Sequence, residues 1–247
     1  METSRHEMNR LLNTSGTHFD GYHNNGHTLS AEDVLSILRP MVSEKRQVRI
    51  DQVIEERTYA IAPVVEGLVN TGNVSAVMRT SEGLGFQPFH VIRNEAKFKK
   101  SIRTSQGAHK WLDVAIWDHT TQCTDELRKK GYQIVVTHLD AAAKPLSDID
   151  LTVPTALVFG NEKNGVSDEM LAAADYTAIL PSPGFVQSFN ISVAAAMTLF
   201  AAHDQRVKRF GKNGDLDAEN QTRLRADFYM RTVNHAEDIL MRHLGLK

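Results

Sequence analysis

Thr155-Ala-Leu-Val-Phe-Gly-Asn-Glu-Lys-Asn-Gly165 holds a whole strand-to-turn transition. Behind its leading threonine the run is apolar without alternation, the pattern of a strand buried on both faces. Gly160 breaks the run and a polar turn follows. The same grammar recurs on either side. Gln133-Ile-Val-Val-Thr137 reads as a second buried strand, and Tyr59 to Leu68, with Ile61, Val64 and Val65 at its centre, as a third. Phe89-His-Val-Ile92, Asp113-Val-Ala-Ile-Trp117 and Tyr176 to Leu180 complete the set.

Helical spacing separates these strands. Asn73 is positioned to cap a helix whose Val74, Val77, Met78 and Leu84 share a face, with Gly85 as its stop. Thr124 to Lys130 forms a helix closed by Gly131, Ser167 caps another, and Asn190 opens a long one with Val193, Met197, Phe200 and Ala201 on one face. Strands alternating with helices predict an α/β domain: a mainly parallel sheet with helices on both faces.

The flanks read differently. Residues 1–29 are polar and predict a disordered tail; His18, His23 and His27 within it match no metal-ligand spacing. Ser30 and Asp33 frame a capping box, and Val34, Leu35, Ile37 and Leu38 form the apolar face of the helix it starts, which Pro40 ends. A short helix over Arg49 to Glu56 follows. Residues 211–215 read as a linker, and 217–243 as one amphipathic helix with Tyr229, Val233, Ala236 and Leu240 in line. The expected divisions are a tail at 1–29, a helical extension at 30–56, an α/β domain at 57–210 and a C-terminal helical extension at 211–247.

Composition bounds the function. The chain has 247 residues, 41% of them hydrophobic, so it can bury a sizeable core. No stretch approaches the roughly 20 apolar residues of a membrane span. The single cysteine, Cys123, rules out an internal disulfide and a Cys-rich zinc site. No secretory signal is visible, and a cytoplasmic location is expected, with an organellar one requiring a longer precursor. The formal net charge of −2 gives no global attraction to nucleic acid, so phosphate contacts have to be local. Three clusters offer such a patch: Lys45, Arg46 and Arg49; Lys97, Lys99, Lys100 and Arg103; Arg206, Lys208 and Arg209. Each also looks like an ordinary solvated surface.

Parallel α/β sheets bind ligands at the carboxyl ends of their strands. Three polar segments fall there. Asn70-Thr-Gly-Asn-Val-Ser-Ala-Val-Met-Arg79 leaves a strand and enters a helix. Asn73 sits at the helix mouth, where amides attract anions. Arg79 is a surface cation or, because Val77 and Met78 beside it read as buried, a partly buried one needing a carboxylate or phosphate. Phe159-Gly-Asn-Glu-Lys-Asn-Gly165 is an ordinary turn or a ligand loop in which Glu162 accepts hydrogen bonds. Leu180-Pro-Ser-Pro-Gly-Phe-Val-Gln-Ser-Phe-Asn190 is stiffened by two prolines, and Asn190 is a plain N-cap or a cap that also faces a ligand. There is no Walker loop, no dinucleotide fingerprint, no nucleophile elbow and no H-E-x-x-H helix. On the residues alone, the activity of this α/β domain stays unassigned.

In this order and spacing, Asn73-Val-Ser-Ala-Val-Met-Arg-Thr80, Phe159-Gly-Asn-Glu-Lys-Asn-Gly-Val-Ser167 and Val186-Gln-Ser-Phe-Asn-Ile-Ser-Val-Ala-Ala-Ala196 resemble the three motifs of the SpoU–TrmH type of RNA 2′-O-ribose methyltransferase, in the SPOUT superfamily. The resemblance spans about 57 to 210. It implies a C-terminal deep trefoil knot, which periodicity cannot reveal. It implies S-adenosyl-L-methionine as cofactor and S-adenosyl-L-homocysteine as product, with no metal. The cofactor is expected against Thr137, Phe159, Gly160, Leu180, Ser188, Phe189 and Asn190, held largely by backbone. Arg79 is expected at the ribose 2′-oxygen and an adjacent phosphate, or more boldly as the base. Asn73 is expected to position the ribose or Arg79, while Glu162, Ser188 and Asn190 order the pocket. A homodimer is implied, with the helix after Asn190 as candidate interface. The expected substrate is a D-loop guanosine of tRNA. The alternatives are ribosomal RNA and a catalytically inactive RNA-binding paralogue. One departure stands out: Pro181-Ser-Pro-Gly-Phe185 replaces a more apolar Pro-Met-x-Gly-Met, so Pro183 and Phe185 reshape the cofactor loop.

Overall fold

The computed structural model describes residues 19–24, 26–68, 70–93, 107–140, 143–161, 164–185 and 188–246. They divide into two compact units, 58–213 in one and 19–57 with 214–246 in the other.

The two-part unit opens with a hairpin of β1 (Tyr22–Asn24) and β2 (His27–Leu29), paired antiparallel. Its described residues were expected to be tail. They are ordered because Tyr22 and Leu29 are buried. Helix α1 (Ala31–Leu38) carries the expected capping box: the Ser30 N–H donates to Asp33 Oδ2 at 3.0 Å, and the Asp33 N–H to Ser30 Oγ at 3.1 Å. The Ser30 hydroxyl also donates to Asp33 Oδ2, at 2.9 Å, and these two bonds to the carboxylate, from the N–H and the hydroxyl, hold the Asp33 carboxyl below its usual pKa. Helix α2 (Glu44–Glu55) starts five residues before the expected Arg49, because its first turn is polar and shows no apolar period.

The other unit begins with β3 (Ile61–Glu66), α3 (Thr71–Gly83), β4 (Pro88–Ile92), β5 (Asp113–Trp117) and α4 (Thr120–Lys129). It continues with β6 (Gln133–Thr137), the two-residue β7 (Lys144–Pro145), β8 (Thr155–Phe159), α5 (Asp168–Ala173), β9 (Tyr176–Ile179) and α6 (Ile191–Phe210). The strands form one sheet in the order β5-β4-β3-β8-β6-β9-β7, every pair parallel. Strand residues alternate between two cores, as a pleated strand must. Ile61, Val65, Phe89, Val135 and Leu157 face α3 and α6, supplied by Val74, Val77, Ala195 and Leu199. Ala62, Val64, Ile134, Ala156 and Val158 face α4 and α5, supplied by Cys123, Leu127 and Met170. Helices therefore cover both faces, as expected of a parallel sheet.

The stretch expected to be a linker is pinned at Asn213, which is 1% exposed. The Asn213 amide donates to the Leu84 carbonyl at 3.0 Å, and its own carbonyl accepts from Arg206 at 3.1 Å. Helices α7 (Ala218–Thr232) and α8 (Ala236–His243) end the chain. One continuous helix was expected here. It breaks at Val233, which is extended, and His235, whose φ of 56° leaves the helical region. In their unit α1 packs on α7 and α8, and α2 on α7. Among the described residues, no helix is long and apolar enough to cross a membrane.

Candidate active site

The parallel order sets the carboxyl ends of β3, β8, β6 and β9 side by side. At about 4.8 Å between neighbours, the four ends span roughly 15 Å. The order turns back at β3: β4 and β5 lie to one side, β8 and β6 to the other. Ligands of open α/β sheets bind at such a switch point.

The first segment leaves β3 through Glu66 and Gly67, whose φ is +63°. Asn70, not Asn73, caps α3: its Oδ1 accepts from the Gly72 N–H at 2.9 Å. The helix starts earlier than expected because Asn70 is already extended and Thr71 already helical. Asn73 lies half-buried in the first turn, with its N–H on the Asn70 carbonyl at 3.1 Å. Arg79 is exposed, which corrects the partly buried reading. Val77 and Met78 are indeed buried, yet Arg79 falls on the opposite stripe with Gly72, Ala76 and Gly83. Six residues of helix set it roughly 9 Å along the axis from Asn73.

The second segment is folded tightly on itself. A Cβ on Gly160 would stand 2.4 Å from the Gly165 carbonyl carbon and 2.5 Å from the Val166 nitrogen. Asn161 and Gly165 exchange two backbone bonds of 2.8 Å, and the Asn161 side-chain amide donates to the Gly67 carbonyl at 2.9 Å. Glu162 lies outside the described residues. Phe159 and Gly160 are buried. Thr137 is half-buried at the end of β6, and its hydroxyl donates to the Val158 carbonyl at 2.9 Å. That bond uses the hydroxyl's only proton and leaves its oxygen lone pairs and the backbone of Thr137 to meet a ligand.

The third segment follows β9. Leu180 and Phe189 are half-buried, Ser188 and Asn190 exposed, and Phe185 wholly exposed. Asn190 caps α6 as expected, its Oδ1 accepting from the Ser192 N–H at 2.9 Å and from the Ser192 hydroxyl at 2.6 Å. Since α3 packs beside α6, the N-termini of two neighbouring helices open onto the same sheet edge, and two helix N-termini together favour electron-rich groups.

Of the basic clusters, Lys45, Arg46 and Arg49 are exposed on α2. The cluster at 97–103 lies outside the described residues. Arg206 departs from its group: it is 2% exposed and donates to Thr58, Thr152 and Asn213. It holds the fold rather than an RNA phosphate. Lys208 and Arg209 are exposed, Lys208 paired with Asp204 at 2.6 Å.

Two residues escaped the sequence reading. Asn161 ties the second loop to the first, as above. Glu66 is 1% exposed, its Oε1 accepting from the Thr120 hydroxyl at 2.6 Å and from the Ser167 hydroxyl at 2.8 Å, its Oε2 from the Ser167 N–H at 2.9 Å. The available signal was an acid closing an otherwise apolar strand, since a buried carboxylate demands donors. Nearby, burial and then the Glu66 charge push the Cys123 thiol pKa up.

The model of the SpoU rRNA methylase family matches residues 61–200. A curated tRNA (guanosine(18)-2′-O)-methyltransferase of Thermus thermophilus is 36% identical over 166 residues, 67% of this chain and 86% of the relative. The crystal structure of the A. aeolicus TrmH/SpoU tRNA modifying enzyme superposes with a TM-score of 0.69 at 32% identity, over 77% of this chain and 98% of that one. The SpoU methyltransferase AviRb from Streptomyces viridochromogenes, solved with the cofactor AdoMet, gives a TM-score of 0.54 at 27% identity, over 62% of this chain and 59% of that one.

Proposed function

The chain belongs to the SpoU methylase family of RNA 2′-O-methyltransferases, and on that premise we propose that it methylates the ribose 2′-hydroxyl of guanosine 18 in the tRNA D-loop, with S-adenosylmethionine as donor. The observation that carries this reading is the gathering of three motif-bearing loops on one sheet edge, over the adjacent ends of β3, β8, β6 and β9. The substrate follows from relatives whose names specify tRNA guanosine 18.

The donor set suits this cofactor. The edge offers backbone amides and carbonyls around Gly160 and Leu180 and half-buried apolar surface at Leu180 and Phe189. It has no glycine-rich phosphate cradle, and S-adenosylmethionine carries no phosphate. When bound, the cofactor supplies a methyl group on a sulfonium. The chain has to hold the 2′-oxygen in line with that methyl and stabilise the charge growing on the oxygen as its proton leaves. We assign the oxygen and its neighbouring phosphate to Arg79, whose exposure suits a partner brought by the RNA. Its guanidinium stays charged at neutral pH, so it acts as an electrostatic clamp rather than as a base. Asn73 orients the ribose at the mouth of α3. With Asn190 Oδ1 taken by Ser192, only its Nδ2–H2 remains to donate, and Ser188 offers a hydroxyl beside it. Val193, Met197 and Phe200 form an exposed apolar stripe on α6, which supports a homodimer.

The test is transfer of labelled methyl to tRNA transcripts, with 2′-deoxyguanosine at position 18 as the control that removes the acceptor oxygen. Methylation at guanosine 18 that vanishes with the control is expected. Label appearing only in ribosomal RNA, or none with any RNA, sinks the proposal. Arg79→Ala should lower kcat at least about a hundredfold, as loss of a charge-stabilising donor does, while S-adenosylhomocysteine affinity stays within threefold. Near-normal turnover in that variant would remove Arg79 from its role.

A further inference from the structure

The loops around the sheet edge are tied to one another through Glu66. This carboxylate closes β3, one residue before the first motif loop starts. It is buried, so its oxygens need donors from the protein. Two of those donors belong to Ser167, the residue at which the second loop ends and α5 begins. Another is Thr120, the first residue of α4, which belongs to neither loop. A second tie runs the other way, from the Asn161 side chain to the carbonyl of Gly67, next to Glu66. The second loop is thus fastened to the end of β3 at its start and at its finish. Beside the first tie lies the Gly160–Gly165 contact, which has no slack for a Cβ.

We propose that Glu66 is a positioning residue for methyl transfer: by holding Ser167 it fixes the cofactor-side loop relative to the acceptor-side loop that carries Asn73 and Arg79. This rests on the methyltransferase reading above. The loops on the two sides of an in-line transfer must be registered closely, since a displacement of about 1 Å can cost on the order of a hundredfold in rate. A charged acceptor with two bonds to one residue registers more tightly than a neutral one. Glutamine at position 66 keeps the size and one acceptor oxygen, but presents an N–H2 to donors on its other side. With its oxygen kept toward the Ser167 N–H, that N–H2 faces the two hydroxyls, which have to turn from donors into acceptors, so the carboxylate's bonds to the loop become weaker amide ones.

Steady-state kinetics of Glu66→Gln and Thr120→Val separate positioning from stability. Both disturb the same buried carboxylate, but only the first weakens its hold on the loop. Each is assayed at a fixed interval below its own melting temperature. Glu66→Gln is expected to lower kcat 10- to 100-fold with the RNA KM within threefold, and Thr120→Val to stay within threefold on both. Equal kcat losses in the two variants, or a change confined to KM, would overturn the proposal. Hydrogen exchange reads the clamp without catalysis. In Glu66→Gln the amides of Gly67 and Ser167 should exchange faster together, by at least tenfold, and in Thr120→Val they should not. If the wild-type protein transfers no methyl, the methyltransferase reading fails by itself. If exchange at those amides is unchanged in Glu66→Gln, the clamp fails whatever the reaction.

Discussion

His90 sits within the sheet at 3% exposure, its ring stacked on Trp117 at 6.0 Å between centroids. The Trp117 indole N–H can only donate, so His90 Nδ1 must accept their 3.0 Å bond and the ring must be neutral, with its proton on Nε2. Burial, and then the Lys130 charge, bring the His90 pKa down from 6.5 to about 3. Between these values the unfolded chain binds a proton that the folded chain refuses. Stability is therefore complete above pH 6.5 and falls as the pH drops through that window, by up to about 1.4 kcal/mol per pH unit. Asp33 and Asp150, both lowered from 3.8 by hydrogen bonds, lose stability only below that value. Urea unfolding at pH 7, 6, 5 and 4.5 should show the decline, and His90→Gln, which keeps an acceptor for Trp117, should flatten it. An undiminished slope in the variant would place the titrating group elsewhere. Arg206 shows what a single residue hides in a sequence. It stands in a basic run, yet its acceptors lie as far away as Thr58, 148 positions earlier, and local composition carries no trace of them.

Helix α6 is apolar on two sides. The sequence put Val193, Met197, Phe200 and Ala201 on one face without saying what that face meets, and the first three are 48%, 43% and 60% exposed. The buried face is Ala195, Thr198, Leu199 and Ala202, turned about 200° away. Periodicity finds a stripe; it does not say which of two stripes meets the sheet, and the smaller residues won because α6 lies close on β8 and α3. A helix apolar all round expects cover on both sides. We therefore expect the outer stripe to close a two-fold contact between copies, in which the same patch meets itself. Phe200→Asp puts two carboxylates into that contact and should turn a dimer into a monomer at micromolar concentration in sedimentation velocity. The melting temperature should be kept, since Phe200 belongs to neither core. A wild-type monomer, or a variant that stays dimeric, would refute this. The other elements were more legible: β5, β6 and β8 stand where their apolar runs place them, because a strand buried on both faces writes its own limits.

At the scale of the molecule, the parallel sheet and the strand ends where the loops gather were legible, since strands alternating with helices imply parallel crossovers; the strand order, with β8 between β3 and β6, was not. The cross-ties were not: Asn161 reaches Gly67 across 94 positions, and Ser167 reaches Glu66 across 101. Nor was it legible that the two ends of the chain share one core. The helices at either end read as separate extensions, each with an apolar face and no visible partner. In the structure Val34, Leu38, Ile50 and Ile54, at most 4% exposed, share a unit with Leu224, Phe228 and Leu240, through the packing of α1 and α2 on α7. Burying four such aliphatic side chains is worth roughly 6 to 12 kcal/mol, and helices of 8 and 12 residues do not persist alone in water. Ending the chain after Asn213 should therefore unfold residues 31–55, even though every one of them is still present. The sheet unit keeps both its cores and its Asn213–Arg206 bonds. Peptide-level hydrogen exchange of the shortened and full-length proteins distinguishes the outcomes. Amides of 31–55 should be protected in the full chain and exchange at near-unfolded rates in the shortened one, while those of 133–137 and 155–159 remain slow in both. Protection at 31–55 that survives the truncation would mean the N-terminal helices hold their own core.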